Sequence, residues 1–212
     1  DPIKDLAPVA QMMSLPFILA VHPSVKAADL KEFTALVKAR PTEFNAAAAG
    51  TSTRLVGEVF TQKTGAAMQQ VPYKGASPAM VAILKNESQA IFLDAANLRP
   101  HVEAGKMRGL FITGDKRWAA VPDVPTAAEA GLPDFNLSTW FGLFARGGTS
   151  PEVVNKLNED IRAVMNSPEF LKYLDTKGSR VSTLTAPQFT RFFQAEVKLW
   201  ASVISSANIK IE

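Results

Sequence analysis

The 212 residues contain no cysteine, and only two histidines, two tyrosines and three tryptophans. The first absence excludes disulfides, thiol catalysis and cysteine metal sites. The two histidines, His22 and His101, have neither a carboxylate nor a second histidine at ligand spacing, so no metal and no cofactor are expected. No apolar stretch approaches the ~20 residues that a membrane span requires. A cationic leader followed by an apolar core is also missing, and the chain starts at Asp1 rather than Met, the expectation for a processed or trimmed product. Clustered charge is lacking too. The 23 Lys and Arg are scattered among 20 Asp and Glu, which leaves no nucleic-acid footprint and a net charge of +3 that leans weakly toward anionic ligands.

What is present is the composition of an ordinary soluble globular protein, 47% hydrophobic and 20% charged, long enough for one large domain or two small ones. Strand and helix patterns alternate. LPFILAVHP reads as a buried strand, and Leu30, Phe33, Leu36 and Val37 mark a helix closed at Arg40-Pro41. EFNAAAA, AMQQVPY, QAIFLD and RGLFIT read as further strands. Between them lie a helix with Leu55, Val56, Val59 and Phe60 on one face, stopped by Gly65, a helix capped by Ser77 with Pro78 at its first position, and a short helix ending near Gly105. Thr126 and Glu129 form a capping box that predicts another short helix, and LSTWFGLFAR is extended.

Further on, Ser150-Pro151-Glu152 opens a strong helix with Val154, Leu157, Ile161 and Val164 on one face. Ser167-Pro168-Glu169 opens a shorter one ending at Gly178, RVSTL is a brief strand, and Thr185 caps a long helix with a stripe of Phe189, Phe192, Phe193, Trp200 and Val203. The alternation predicts α/β architecture with a largely parallel sheet. Only one weak strand accompanies the last three helices. Either they pack on the first unit or the sheet they cover lies in an absent N-terminal portion, and the second alternative is the expectation here.

One stretch suggests chemistry. In FNAAAAGTSTRLVGEVF a strand of small residues turns into a helix, which brings a helix N-terminus to the carboxyl edge of the sheet. Amides of the first turn have no intrahelical partner there, and anions bind at such ends. Ala46 to Gly50 allow close approach, while Thr51, Ser52 and Thr53 add hydroxyls that either donate to a carboxylate or cap the helix. Each charged hydrogen bond is worth roughly 1.5–3 kcal/mol, and three or four are compatible with affinity of order micromolar. The alternative is a well-capped helix start with the alanines packed beneath a neighbour. No P-loop spacing is present.

Ordered along the chain, DPIKDLAPVA, PFILAVHPS, AAGTSTRLVGEVF, VPYKGASPAMVAIL, LRPHVEAGKMRGLFITG, RWAAVPDVPTAAEAGLPDF, STWFGLFARGGTSPEVVNKLN and LWASVISSANIK resemble the Bug-type periplasmic substrate-binding proteins of tripartite tricarboxylate transporters. The resemblance implies a type II periplasmic binding protein (Venus flytrap) fold, with two α/β lobes closing on a small acid. It further implies export to the periplasm, delivery of a carboxylate-bearing ligand to membrane permease subunits, and no catalysis. On this reading residues 12–137 form a complete lobe. Residues 1–11 and 138–212 form the remainder of the other, whose N-terminal strands and ligand loop are missing.

By the same resemblance Gly50, Thr51, Ser52 and Thr53 match a ligand-gripping loop. Arg54 stands where relatives often have His, and either pairs with a ligand carboxylate or is a solvated helix arginine. Tyr73 either bonds the ligand or packs, Lys74 is a weaker candidate, and Gly75 with Pro78 sets a tight turn. Asp94 either caps a helix or holds an amine or bridging water. Relatives commonly carry Asp-Asn there, whereas this chain has Asp94-Ala95. Phe17 and Trp140, near the crossing segments, either wall the pocket or pack. Two other readings are a ligand-sensing regulatory module and a hydrolase using Ser52 or Thr53. The hydrolase lacks a base in any recognisable motif.

Overall fold

Asp1 caps a single helical turn, α1 (Pro2–Asp5), by accepting from the amide of Ile3, and the chain then extends for sixteen residues as β1 (Leu6–Val21). The computed structural model describes residues 1–176 and 179–206. They divide into two compact units: unit 1 combines Asp1–Leu15 with the chain from Trp140 onward, and unit 2 is Pro16–Thr139. The first half of β1 therefore belongs to one unit and the second half to the other.

Unit 2 continues through α2 (Leu30–Ala39), β2 (Asn45–Ala48), α3 (Thr51–Thr64), β3 (Gln69–Pro72), α4 (Ala76–Leu84), β4 (Ala90–Asp94), α5 (Ala95–Glu103) and β5 (Arg108–Ile112). Its strands lie in the order β3-β2-β4-β1-β5. β2 is parallel to β3 and β4, but β1 runs against β4 and β5, so the sheet is mixed where the alternation of elements predicts a largely parallel one. Alternate residues of each strand go to opposite faces. On one face Ile18, Ala20, Ile91, Leu93 and Ile112 pack with Ala79 and Ile83 of α4 and Leu98 of α5. On the other, Phe60 of α3, Phe92, Phe111 and Phe135 form a knot with ring centroids 5.4–6.5 Å apart.

Two expected helix starts differ. α4 is capped by Gly75 (φ 104°), which puts Ser77 and Pro78 inside its first turn. A proline is tolerated there because the amides of the first turn have no intrahelical acceptor to lose. At Thr126 the capping-box bonds do form: the Thr126 amide donates to Glu129 Oε2 (2.7 Å) and the Glu129 amide to Thr126 Oγ1 (3.2 Å). They close a turn rather than a helix. Gly131, at φ 94°, and Pro133 stop the chain after one turn.

Unit 1 holds β6 (Ser138–Arg146), α6 (Pro151–Met165), α7 (Pro168–Thr176), β7 (Arg180–Val181) and α8 (Ala186–Ser206). Both β6 and β7 pair with β1, the latter through Met13–Val181 and Ser14–Arg180. The predicted stop of α7 at Gly178 lies outside the described residues. Trp140 and Phe144 of β6 pack against Phe189, Phe192 and Phe193 of α8. The packed side of α6 runs through Val154, Asn158, Ile161 and Met165. It shares two positions with the expected stripe, whereas Leu157 and Val164 are exposed, Val164 by 65%. Asn158 takes the buried place because its Nδ2 donates to Val9 O (2.8 Å) and Leu184 O (3.3 Å). Two backbone acceptors that need a donor outweigh the apolar preference of that face.

Candidate functional site

Three helices of unit 2 begin at one edge of its sheet, because β2, β3 and β4 are parallel and each is followed by a helix. Ala48 pairs with Pro72, and Ala47 with Ile91. Counting two residues on from Ala48, its partner Pro72 and the residue after Ile91 places Gly50, Lys74 and Asp94 level along this edge. β1 runs the other way and brings Phe17 opposite Asp94. Next to it, Thr113 donates its amide to Phe17 O (2.8 Å) and accepts from the Phe17 amide at Oγ1 (2.9 Å).

The start of α3 is the most open of the three. Gly50 is exposed, its extended backbone (φ 161°) suits any residue, and a Cβ placed there would meet nothing within 4 Å. The Thr53 hydroxyl donates to Gly50 O (2.9 Å) and accepts from the Gly50 amide (3.1 Å), so it is committed to the helix start and buried. Thr51 and Ser52 are exposed. The first ladder bond of α3 runs from the Arg54 amide to Gly50 O (3.1 Å). Ahead of it, the amides of Thr51, Ser52 and Thr53 have no intrahelical acceptor, and the positive end of the dipole faces outward with them. Arg54 and Lys74 are both exposed beside this end.

The other two starts are built differently. α4 has Gly75 as its cap, again with open space around the position of a Cβ. α5 is capped by Asp94, whose Oδ1 accepts from the Asn97 amide (3.1 Å) and whose Oδ2 accepts from Asn97 Nδ2 (2.7 Å). Tyr73 packs half-buried against the aliphatic face of the core, with its hydroxyl 3.4 Å from Ser88 Oγ. Phe17 is buried, 3% exposed. Beside this edge the Thr126 turn is tied to the end of β5 by the Ile112 and Ala127 amides. There the Arg117 guanidinium hydrogen-bonds Glu129 at 2.9 Å and, with the Thr126 amide, holds that carboxyl down to about 2.

The structure thus brings Gly50, Thr51, Ser52, Thr53, Tyr73, Asp94 and Phe17 to one edge of unit 2. Trp140 lies in unit 1, its indole donating to Glu196 Oε2 (2.9 Å), an oxygen shared with the Trp200 indole (3.0 Å). Three contributors escaped the residue pattern: the Gly75 cap, Asn97 and Thr113. Asn97 was findable as an amide three positions after a capping Asp. Thr113 was not, since its partner Phe17 is 96 positions away.

Neither histidine stands near Ser52. His22 follows Val21, which pairs with Ala90 at the opposite end of β4 from Asp94, and its Nδ1 is 2.7 Å from Ser24 Oγ. His101 is in the last turn of α5. Among the described residues no group of three or more His, Asp or Glu could hold a metal ion, and no helix is long and apolar enough to cross a membrane.

Residues 1–209 match the tripartite tricarboxylate transporter family receptor, TctC. The chain is 32% identical over 212 residues to protein BugT of Bordetella pertussis, covering 99% of this chain and 65% of BugT. It spans just under two thirds of that relative's length. A solved periplasmic transporter superposes with a TM-score of 0.83 at 34% identity, covering 100% of this chain and 71% of that one. An R. palustris protein solved with adipate gives 0.81 at 29%, covering 99% and 71%. The fold is the mixed α/β fold of periplasmic binding proteins.

Proposed function

Because this chain belongs to the tripartite tricarboxylate transporter receptor family, whose members are solute-binding receptors rather than enzymes, we propose that it grips a small carboxylate-bearing ligand in a periplasmic receptor. That receptor delivers the ligand to the permease subunits of a tripartite tricarboxylate-type transporter. The observation that carries this reading is the start of α3. A cap without a side chain, two exposed hydroxyl residues and three amides without intrahelical acceptors meet at the carboxyl edge of parallel strands. The adipate held by the R. palustris relative is a ligand of the same chemistry.

Gly50, Thr51 and Ser52 take the carboxylate through backbone amides and hydroxyls. Thr53 shapes the loop, and Arg54 and Lys74 supply long-range positive charge. Tyr73, Asp94 and Phe17, from the same edge of unit 2, complete the set, with Asp94 as a fixed negative charge beside it. Residues 12–137 make up a complete lobe, and residues 1–11 and 138–212 are the remainder of a second one. The apolar side chains that β6, α6 and α7 leave exposed support this division, Phe141 (48%) and Val164 (65%) among them.

The test is an amide-resolved NMR titration of the full chain with acetate and with adipate. The amides of Thr51, Ser52 and Thr53 should shift in a saturable way, at an affinity weakened to about the millimolar range because only part of the grip is present. No saturable shift at these three amides with either acid would overturn the reading.

A further inference from the structure

The edge of unit 2 opposite the helix starts holds a cavity of about 510 Å³. Three connections wall it: residues 22–29 between β1 and α2, 40–44 between α2 and β2, and 85–89 between α4 and β4. They are tied to one another. The His22 amide donates to Gln89 O (2.9 Å), the Gln89 amide to Asn45 O (2.9 Å), and the Asn45 amide to Gln89 Oε1 (3.0 Å). The Arg108 guanidinium fixes the first connection by donating to Ala27 O (2.7 Å) and Val25 O (3.4 Å). Buried Val25, half-buried Leu36 and buried Phe44 supply the apolar lining, and Phe33 holds the Phe44 ring edge-on with centroids 6.2 Å apart. A space of this size, part apolar and part polar and formed before anything enters it, has the dimensions and lining of a small-molecule site.

The polar lining is richer in donors than in acceptors. Gln89 is oriented by the backbone: Oε1 takes the Asn45 amide, and Nε2 donates to Asn86 O (3.0 Å). Nε2 also reaches Asn86 Oδ1 (3.4 Å), which accepts from Ser24 Oγ as well (3.3 Å). That sets the Asn86 amide with its oxygen engaged and leaves both Nδ2 donors without an acceptor among the described residues. Asn86 sits at φ 58° just after α4, a left-handed position where glycine is the usual residue. Lys26 makes no hydrogen bond or ion pair with a described residue. Arg40 has five N–H donors, and Glu43 takes one of them at 3.4 Å. Lys26 and Arg40 against Glu43 leave the lining one positive charge in excess. A neighbouring cavity of about 400 Å³, lined by Pro23 and Ala28 of the same connection, is the contrast. Its Arg108 is committed to two carbonyls and is balanced by Asp123.

We propose that the larger cavity binds a small organic anion with an apolar body, its carboxylate taken by Lys26 and the Asn86 amide and its body resting on Leu36 and Phe44. This is a second site. The five residues of β4 separate it from the edge that carries Asp94 by about 17 Å, and it stands whether or not α3 takes a ligand.

The experiment is an amide-resolved NMR titration of the full chain with benzoate, with benzamide, which keeps the ring without the charge, and with acetate, which keeps the charge without the ring. It is repeated on Lys26→Met, which retains an exposed apolar stem, and on Asn86→Gly, which relaxes the left-handed backbone while removing the amide. Benzoate should shift the amides of Lys26, Asn86 and Gln89 in a saturable way, in about the millimolar range, and bind about fivefold or more tightly than either comparator. Each variant should weaken benzoate about threefold or more, read at the Gln89 amide. The amides of Thr51–Thr53 report on the α3 site separately in the same spectra, and their response should not change in either variant. No saturable shift at Lys26, Asn86 and Gln89 overturns the proposal. So does equal affinity for benzoate and either comparator, or an unchanged benzoate affinity in both variants.

Discussion

Unit 2 and unit 1 are built from similar stretches of sequence and finish differently. In unit 2 a five-strand sheet is covered on both faces. Phe60, Phe92, Phe111 and Phe135 fill one side, and the aliphatic residues of β1, β4 and α4 fill the other. In unit 1 the aromatic cluster of β6 and α8 is packed, yet Phe141, Leu143, Leu157, Val164 and Tyr173 stand exposed. An amphipathic helix needs only one apolar stripe covered, so a second apolar stripe in solvent marks a surface built for a further layer. Unit 2 leaves Val81 and Leu84 exposed, and unit 1 leaves a longer set of large apolar side chains in solvent.

Five substitutions, one of them read against pH, would break or sharpen that contrast. The largest effect belongs to Phe60→Ala, which should cost about 3–5 kcal/mol in a denaturant titration, since the ring is wholly buried among three others. A cost under ~2 kcal/mol would show that the unit 2 core is looser than its geometry implies. Next, Asn158→Ala in unit 1 should cost about 1–3 kcal/mol by stripping Val9 O and Leu184 O of their donor. An unchanged midpoint would mean that the amide holds nothing in place.

Acid should weaken the Thr126 turn of unit 2. Glu129 is held at about 2 against an ordinary 4.5, chiefly by its hydrogen bond from Arg117. A folded-state carboxyl below its unfolded value contributes stability that is present above about 4.5 and lost as pH falls toward 2. Glu129→Gln should remove that slope from stability measured against pH in this window. An identical slope in the variant would put the acid sensitivity elsewhere.

The two smallest effects concern single helices. Gly50→Asp should raise stability by a few tenths of a kcal/mol, by capping α3 in open space, while abolishing the carboxylate-induced amide shifts. Retained shifts would move the anion away from α3. Finally, Leu157→Ala should change stability by less than ~0.5 kcal/mol, as expected of an exposed position. A large loss would show that the chain already covers this face, for instance by self-association, and the contrast between the units would fail.

The sequence was most readable where the deciding signal is local. The turn from small residues into α3, the left-handed Gly65 that ends it and the strand QAIFLD closing on a capping Asp94 all rest on neighbours within a few positions. Reading failed where a distant group decides. The buried face of α6 follows carbonyls of Val9 and Leu184, which no periodicity within the helix reports. The first half of β1 is broken by Pro8, Gln11 and Ser14, so its pattern hides a strand that pairing with β6 and β7 keeps extended. The Thr126 box met its hydrogen-bond pattern without giving a helix, because Gly131 and Pro133 close the segment too soon. At the site, the small residues and hydroxyls were legible. The commitment of Thr53 to its own helix and the clamp of Asn97 on Asp94 required coordinates.

The sixteen uninterrupted residues of β1 tie two alignments together. Only four positions separate Met13, matched with Val181, from Phe17, matched with Asp94. Sliding an extended segment by one residue swaps its inner and outer side chains. A frame-shift that turned Ile18 and Ala20 away from the aliphatic face would also drag Met13 and Ser14 out of step with β7. An error that would be local in a short strand is thereby penalised twice, in two separate places, and the correct alignment of one half helps to dictate that of the other.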